Sequence, residues 1–164
     1  MSDVLSTLTA ERVRRDVDVL AHAGLEVDVF LAEVHHSLTR AVPYDAACFA
    51  LCDPGTRLLT GTFKFGSLFG RDERDHEWGL IEYGEAEDTA FAEMARQEVT
   101  ATALHHSTGG DPHRSKRMRD FIEPYFSLTD ELRLVAKAAG EMWGGVALFR
   151  EEAAAPFSAS EVDY

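Results

Sequence analysis

Cysteine is scarce: the 164 residues hold only Cys48 and Cys52. They sit four apart in a strand-like run, so both side chains point to one face. At ~3.3 Å per residue their α-carbons lie about 13 Å apart, and a disulfide needs roughly 4.4–6.8 Å. The spacing excludes a bridge and predicts reduced thiols, the cytosolic state. Long apolar runs are also missing. The longest, 46–52 and 146–149, fall far short of the ~20 residues that cross a bilayer, so no membrane contact is expected. The amino-terminal stretch MSDVLSTLTAERVRRD carries acidic residues and has no apolar core of the kind a secretory leader needs; the expected location is cytoplasmic. Basic residues are few, with 16 Lys and Arg against 29 Asp and Glu, a formal charge of −13 and a pI near 4.8. Such a surface repels phosphate backbones and anionic lipid, so this chain is not expected to contact nucleic acid itself. The one basic cluster, His113, Arg114, Lys116, Arg117 and Arg119, reads as the solvated first turn of a helix.

Catalytic signatures are absent as well. There is no G-x-S-x-G, no Walker A and no G-x-G-x-x-G after a strand. No Cys or carboxylate stands at zinc-like spacing from the doublets His35-His36 and His105-His106, and neighbouring residues point apart on helix or strand. Neither a metal site nor an enzyme is expected. The stretch Ser107-Thr108-Gly109-Gly110-Asp111 could cradle an anion before a helix, but Asp111 would repel it, and a structural turn is the preferred reading.

What is present is enough apolar sequence for a real core, 45% hydrophobic against 27% charged, and a length that fits one domain spanning 1–164. Apolar residues at a 3.6-residue period predict helices over 9–22 (Val13, Val17, Leu20) and 25–41 (Val27, Phe30, Leu31, Val34, Leu38). Thr9 is the expected N-cap of the first, and Gly24 and Pro43 end the two. Alternation predicts a hairpin of strands 45–52 and 58–65 around the turn Asp53-Pro54-Gly55-Thr56. The middle reads as a short helix over 72–82 with Trp78 and Ile81 inward, a helix over 88–97 capped by Asp88, a strand over 99–105, and a helix capped by Ser115. Strands 131–138 and 142–150 pair across Ala139-Gly140-Glu141. Ser158 caps a last helical pattern, 160–164, which is shorter than two turns, so the natural chain is expected to continue. This order predicts an α+β fold: a central antiparallel sheet with N- and C-terminal helices on one face and the middle helices on the other.

The order and several segments resemble the GAF-like N-terminal domain of LuxR-type helix-turn-helix regulators of actinobacteria. The matching stretches are VPYDAACFALCDPGTRLLTG, AFAEMARQ, STGGDPHRSKRMRDFIEP, DELRLVAK, WGGVALFRE and PFSASEVDY, covering most of the chain from about residue 25. The resemblance implies a sensor domain whose ligand sits between sheet and middle helices, followed in the parent protein by a DNA-binding domain. It names no ligand or cofactor. The NKFDE-type signature of cyclic-nucleotide GAF domains is absent, the nearest segment being EDTAFAEMARQ, and no cysteine stands where a bilin would attach.

Aromatic residues concentrate where the resemblance places the pocket wall: Phe63, Phe65, Phe69, Trp78, Tyr83 and Phe91. The candidate ligand-binding residues are Cys48, Phe63, Phe65, Trp78, Tyr83, Phe91, Met94, Phe121, Arg133 and Trp143. The same residues also fit an ordinary core, and spacing does not separate the two. The facing of Arg133 and Trp143 on the last hairpin stays open. The expected partners are a small-molecule effector and a second copy of the chain, docked through the terminal helices. Two alternatives stand beside the sensor: a ligand-free homodimerisation module, and a thiol reductase using Cys48 and Cys52. The reductase is disfavoured because catalytic thiols need an electropositive, accessible site.

Overall fold

The structure, a computed structural model, describes residues 7–84 and 87–164. Five antiparallel strands lie in the order β2-β1-β5-β4-β3. They are β1 (Ala46–Cys52), β2 (Leu59–Gly66), β3 (Ala101–Ala103), β4 (Leu128–Ala138) and β5 (Glu141–Glu151). The hairpins appear where turn chemistry demands them. Asp53 Oδ1 accepts from the backbone N–H and the hydroxyl of Thr56 at 2.8 and 2.7 Å, closing the β1–β2 turn. Ala138 pairs with Glu141, leaving the two-residue loop Ala139-Gly140 with φ of 53° and 78°. Two positive φ values match the right-handed twist of the strands they join.

Helices cover both faces, as the element order predicts. α1 (Thr7–Ala21), α2 (Val27–Leu38) and α7 (Ala159–Asp163) pack on one. There Val13, Val17, Leu31, Val34, Leu38 and Val162 meet Ala47, Phe49, Leu132 and Leu148 from the sheet. α1 already includes Thr7, so Thr9 lies inside the helix and is not its cap. α7 starts with a capping box between Ser158 and Glu161. Arg150 of β5 ties it down through Nη2 to Glu161 Oε1 at 2.6 Å. None of the described helices is long and apolar enough to cross a membrane.

The other face carries α3 (Asp75–Gly84), α4 (Phe91–Met94), α5 (Leu104–Ser107) and α6 (Glu123–Phe126). This middle region departs from the sequence reading. The helix expected from an Asp88 cap to Gln97 is only Phe91–Met94, with Ala90 as its N-cap. The strand expected over 99–105 is three residues long, because β3 pairs with β4 only from Ala101 to Ala103, and Leu104 then turns into the core as α5. Ser115 does start a helix, its Oγ accepting from Met118 N at 3.2 Å. That helix widens into a π-turn over Met118–Ile122. Pro124 has no N–H to continue the regular ladder, which is a known cause of such loosening. The basic cluster is not all solvated either: Arg117 is 2% exposed.

Candidate functional site

The floor of the site is set by strand register. Lys64 pairs with Cys48, Cys48 with Ala147, and Ala147 with Arg133, forming one row across four strands. The next row joins Thr62, Ala50 and Gly145. Small side chains thus fill the middle of the floor and long cations its two flanks. The roof is α3, which turns Asp75, Trp78, Gly79, Glu82 and Tyr83 downward. Their spacing, i, i+3, i+4, i+7 and i+8, is one helix face. Leu59 and Phe91 close the sides around a cavity of about 230 Å³. Phe91 lies over Gly145, where a Cβ would meet its ring at 2.7 Å.

The charges around this space are paired. The Lys64 ammonium donates to Arg71 O at 2.7 Å, to Asp72 Oδ1 at 2.8 Å and to Asp75. Burial pushes Lys64 down, but the bonds to the two aspartates outweigh it and hold the ammonium above its ordinary value. Arg133 donates from Nε to Glu131 Oε1 at 2.7 Å. Its Nη1 reaches Glu82 Oε1 and Oε2 at 3.0 and 2.8 Å and Thr89 O at 3.0 Å. Glu131 also accepts from Arg117 Nη2 at 2.7 Å, and Arg117 Nη1 reaches Glu87 at 3.1 Å. A buried chain of alternating charge, Glu82–Arg133–Glu131–Arg117–Glu87, therefore runs from the cavity wall to the helix that Ser115 starts. Burial pushes the Cys48 thiol up to about 12, an effect that Lys64 and Arg133 offset only in part.

The chain of charge predicts acid sensitivity. Burial would raise the Glu131 carboxyl, but the Arg117 and Arg133 guanidiniums outweigh it and hold it below the ordinary value of 4.5. A carboxyl depressed in the folded state adds stability that is complete above its unfolded value and is lost as pH falls through the folded one. Thermal melts should therefore be flat between about pH 7 and 5 and should drop steeply below about pH 4.5. A melting temperature unchanged down to about pH 3 would contradict this.

Five of the ten candidate residues line the cavity: Cys48, Trp78, Tyr83, Phe91 and Arg133. Phe63 and Phe65 do not. They pair with Phe49 and Ala47 on the opposite face, and Phe65 stacks on His35 with ring centroids 4.4 Å apart. Strand alternation makes this necessary once Thr62 and Lys64 face the cavity. Met94 and Phe121 sit in the core behind the wall, Phe121 edge-on to Trp78 at 5.8 Å. Trp143 lies at the far end of the last hairpin and is 52% exposed. Phe69 is 77% exposed. The sequence reading did not single out the charged lining residues Lys64, Asp75 and Glu82. The face spacing of α3 was the one signal that pointed to Asp75 and Glu82. Cys48 and Cys52 are free and buried. The histidine doublets serve the fold, His35 Nδ1 lying 2.8 Å from Tyr44 Oη and His106 Nε2 2.8 Å from Phe157 O. Among the described residues no group of three His, Cys, Asp or Glu is placed to hold a metal.

No family model matches the chain, and no curated protein matches it in sequence. Solved structures do. The LBD domain of VqsR from Pseudomonas aeruginosa is 14% identical and superposes with a TM-score of 0.55, over 95% of this chain and 84% of that one. The GAF domain of a phosphoenolpyruvate-protein phosphotransferase from Coxiella burnetii is 15% identical with a TM-score of 0.55, over 96% and 86%. The N-acylhomoserine lactone dependent LuxR family transcription factor CepR2 from Burkholderia cenocepacia is 13% identical with a TM-score of 0.54, over 96% and 86%. The fold is thus GAF-like: an antiparallel sheet between terminal helices and middle helices.

Proposed function

We propose that this chain is the sensory domain of a transcription regulator, binding a small molecule between sheet and middle helices and passing the signal to a DNA-binding domain beyond α7. The observation that carries the reading is the cavity itself. Small residues at the centre of the floor, Cys48, Ala50 and Ala147, leave room under a roof that carries Trp78 and Tyr83. A concave apolar space with a few fixed polar groups is what a small-molecule site needs. Structural neighbours of the same shape, one described as an LBD domain and one as acylhomoserine lactone dependent, lend support. Catalysis is not part of the reading, because a thiol pushed to about 12 stays protonated at neutral pH. The cytoplasm is the compartment that suits a regulator of transcription.

The test is a thermal-shift screen of small metabolites. A binder at about 100 times its Kd adds roughly 2.7 kcal/mol, which raises Tm by about 5–10 °C for a chain of this size. If no compound in a broad panel moves Tm, and native mass spectrometry finds none retained, the sensor reading is lost.

A second reading is a homodimer through the terminal helices. It draws on the apolar residues that α1 and α2 leave exposed, Val19 at 65%, Val29 at 45% and Val27 at 44%. Light scattering should give twice the monomer mass, and a strict monomer at high concentration rejects the dimer.

A further inference from the structure

We propose that the cavity takes a small, flat, uncharged molecule bearing a carbonyl, whose oxygen accepts from Nη2 of Arg133. This names the ligand class for the sensor site above and rests on that reading. A guanidinium has five N–H donors. Those of Nε and Nη1 in Arg133 are taken by Glu131, Glu82 and Thr89. Nη2 has no partner among the described residues, although the side chain is only 2% exposed. No side-chain nitrogen or oxygen sealed from solvent lacks a partner among those residues. Nη2 therefore borders the open cavity that Arg133 lines, and it is a donor waiting for an acceptor.

Charge selects against an ion. An ammonium has three donors, and Lys64 spends all of them on Arg71, Asp72 and Asp75. The second cation of the floor has nothing left for an anion. The charge of Arg133 is already opposed by Glu82 and Glu131. An anionic guest would lose its hydration to face those carboxylates. A cationic guest would face Arg133. Burying a charge without its own partner is costly either way. A carbonyl asks for one donor and carries no net charge. Shape narrows the class further. The Arg133 guanidinium lies over the Phe91 ring, 4.2 Å from its centroid. Trp78 from the roof supplies a second aromatic wall. A dry cavity of about 150 Å³ holds benzene; one of about 230 Å³ suits a planar guest with on the order of ten non-hydrogen atoms. Aromatic amides and lactams have this form.

Three probes of one shape and different charge test the assignment: benzamide, benzoate and benzylamine, titrated into the chain and followed by protein NMR. Benzamide should bind at least tenfold more tightly than either ion and should show NOEs to the Trp78 ring. Ala147→Leu, which fills the floor, should abolish its binding. Arg133→Lys keeps the positive charge and removes Nη2, and should weaken benzamide about tenfold while leaving the fold intact by circular dichroism. Should either variant fail to fold, the NOEs and the probe ranking in the natural sequence still decide. A charged probe that matches benzamide against Trp78 overturns the uncharged class and leaves the sensor reading standing. Unchanged benzamide affinity in Arg133→Lys removes Nη2 as the anchor. If no probe touches Trp78 at millimolar concentration, this assignment falls, and the sensor reading is judged by its own metabolite screen.

Discussion

Replacing Arg133 with methionine is expected to destabilise the fold by about 3–5 kcal/mol, the range for breaking a buried ion pair from one side. The cause is what stays behind. Glu82 and Glu131 have side chains 3% and 1% exposed, and both lose a guanidinium partner at once. Arg117 still holds one oxygen of Glu131, but both oxygens of Glu82 lose their Arg133 contacts, leaving, among the described residues, only the backbone N–H of Phe91. Urea unfolding measures the loss directly through the midpoint. Adding Glu82→Gln and Glu131→Gln to the same chain should recover much of it, because neutral amides carry no stranded charge. A loss under about 1 kcal/mol for Arg133→Met alone would mean that water reaches these carboxylates and that the chain of charge is not a buried one.

Gly66→Ala should be nearly as damaging, for a reason that is purely steric. Gly66 ends β2 at φ +65°, and an added Cβ would lie 2.1 Å from the carbonyl oxygen of Asp45 and 3.0 Å from Ala46 Cα. The left-handed conformation alone costs an L-residue roughly 1–2 kcal/mol. The clash is with backbone, which cannot swing aside as a side chain can. Relieving it means moving Asp45 O, which accepts from Ser67 N at 3.0 Å, and a lost hydrogen bond adds about 1 kcal/mol. A total of about 2–3 kcal/mol follows from these parts. Gly61→Ala, on the same strand with nothing within 4 Å of its would-be Cβ, is the control and should change stability by less than about 1 kcal/mol. Equal urea midpoints for the two variants would show that the β1–β2 edge is free to shift.

The parts of this fold that the sequence makes legible are those with local causes. β1, β2, β4 and β5 announce themselves by alternation and by the turns between them, and each was placed within three residues of its ends. The middle region has no such local cause. β3 is three residues because the chain turns into the core at Leu104 as α5, and α4 is one turn whose Phe91 is fixed by the absence of a side chain at Gly145. The site divides the same way. Trp78 and Phe91 were visible by size. Glu82 and Arg133 are 51 positions apart in the chain, so nothing local announces their pairing. Arg117 reads as one more surface cation until Glu131 and Glu87 are seen around it. On β2 the usual guide misleads: Phe63 and Phe65 serve the core under the helices, and the polar set, Thr62 and Lys64, faces the cavity.

β5 belongs to both halves of the molecule. Ala147 touches the cavity, and Leu148, one peptide further, belongs to the cluster that holds Val13 and Val162. Two positions beyond, Arg150 grips Glu161 of α7. The sheet has no middle layer to absorb a displacement. In the proposed sensor, a guest pressing on one surface of this strand would strain the seat of the closing helix on its reverse, through the thickness of a single backbone.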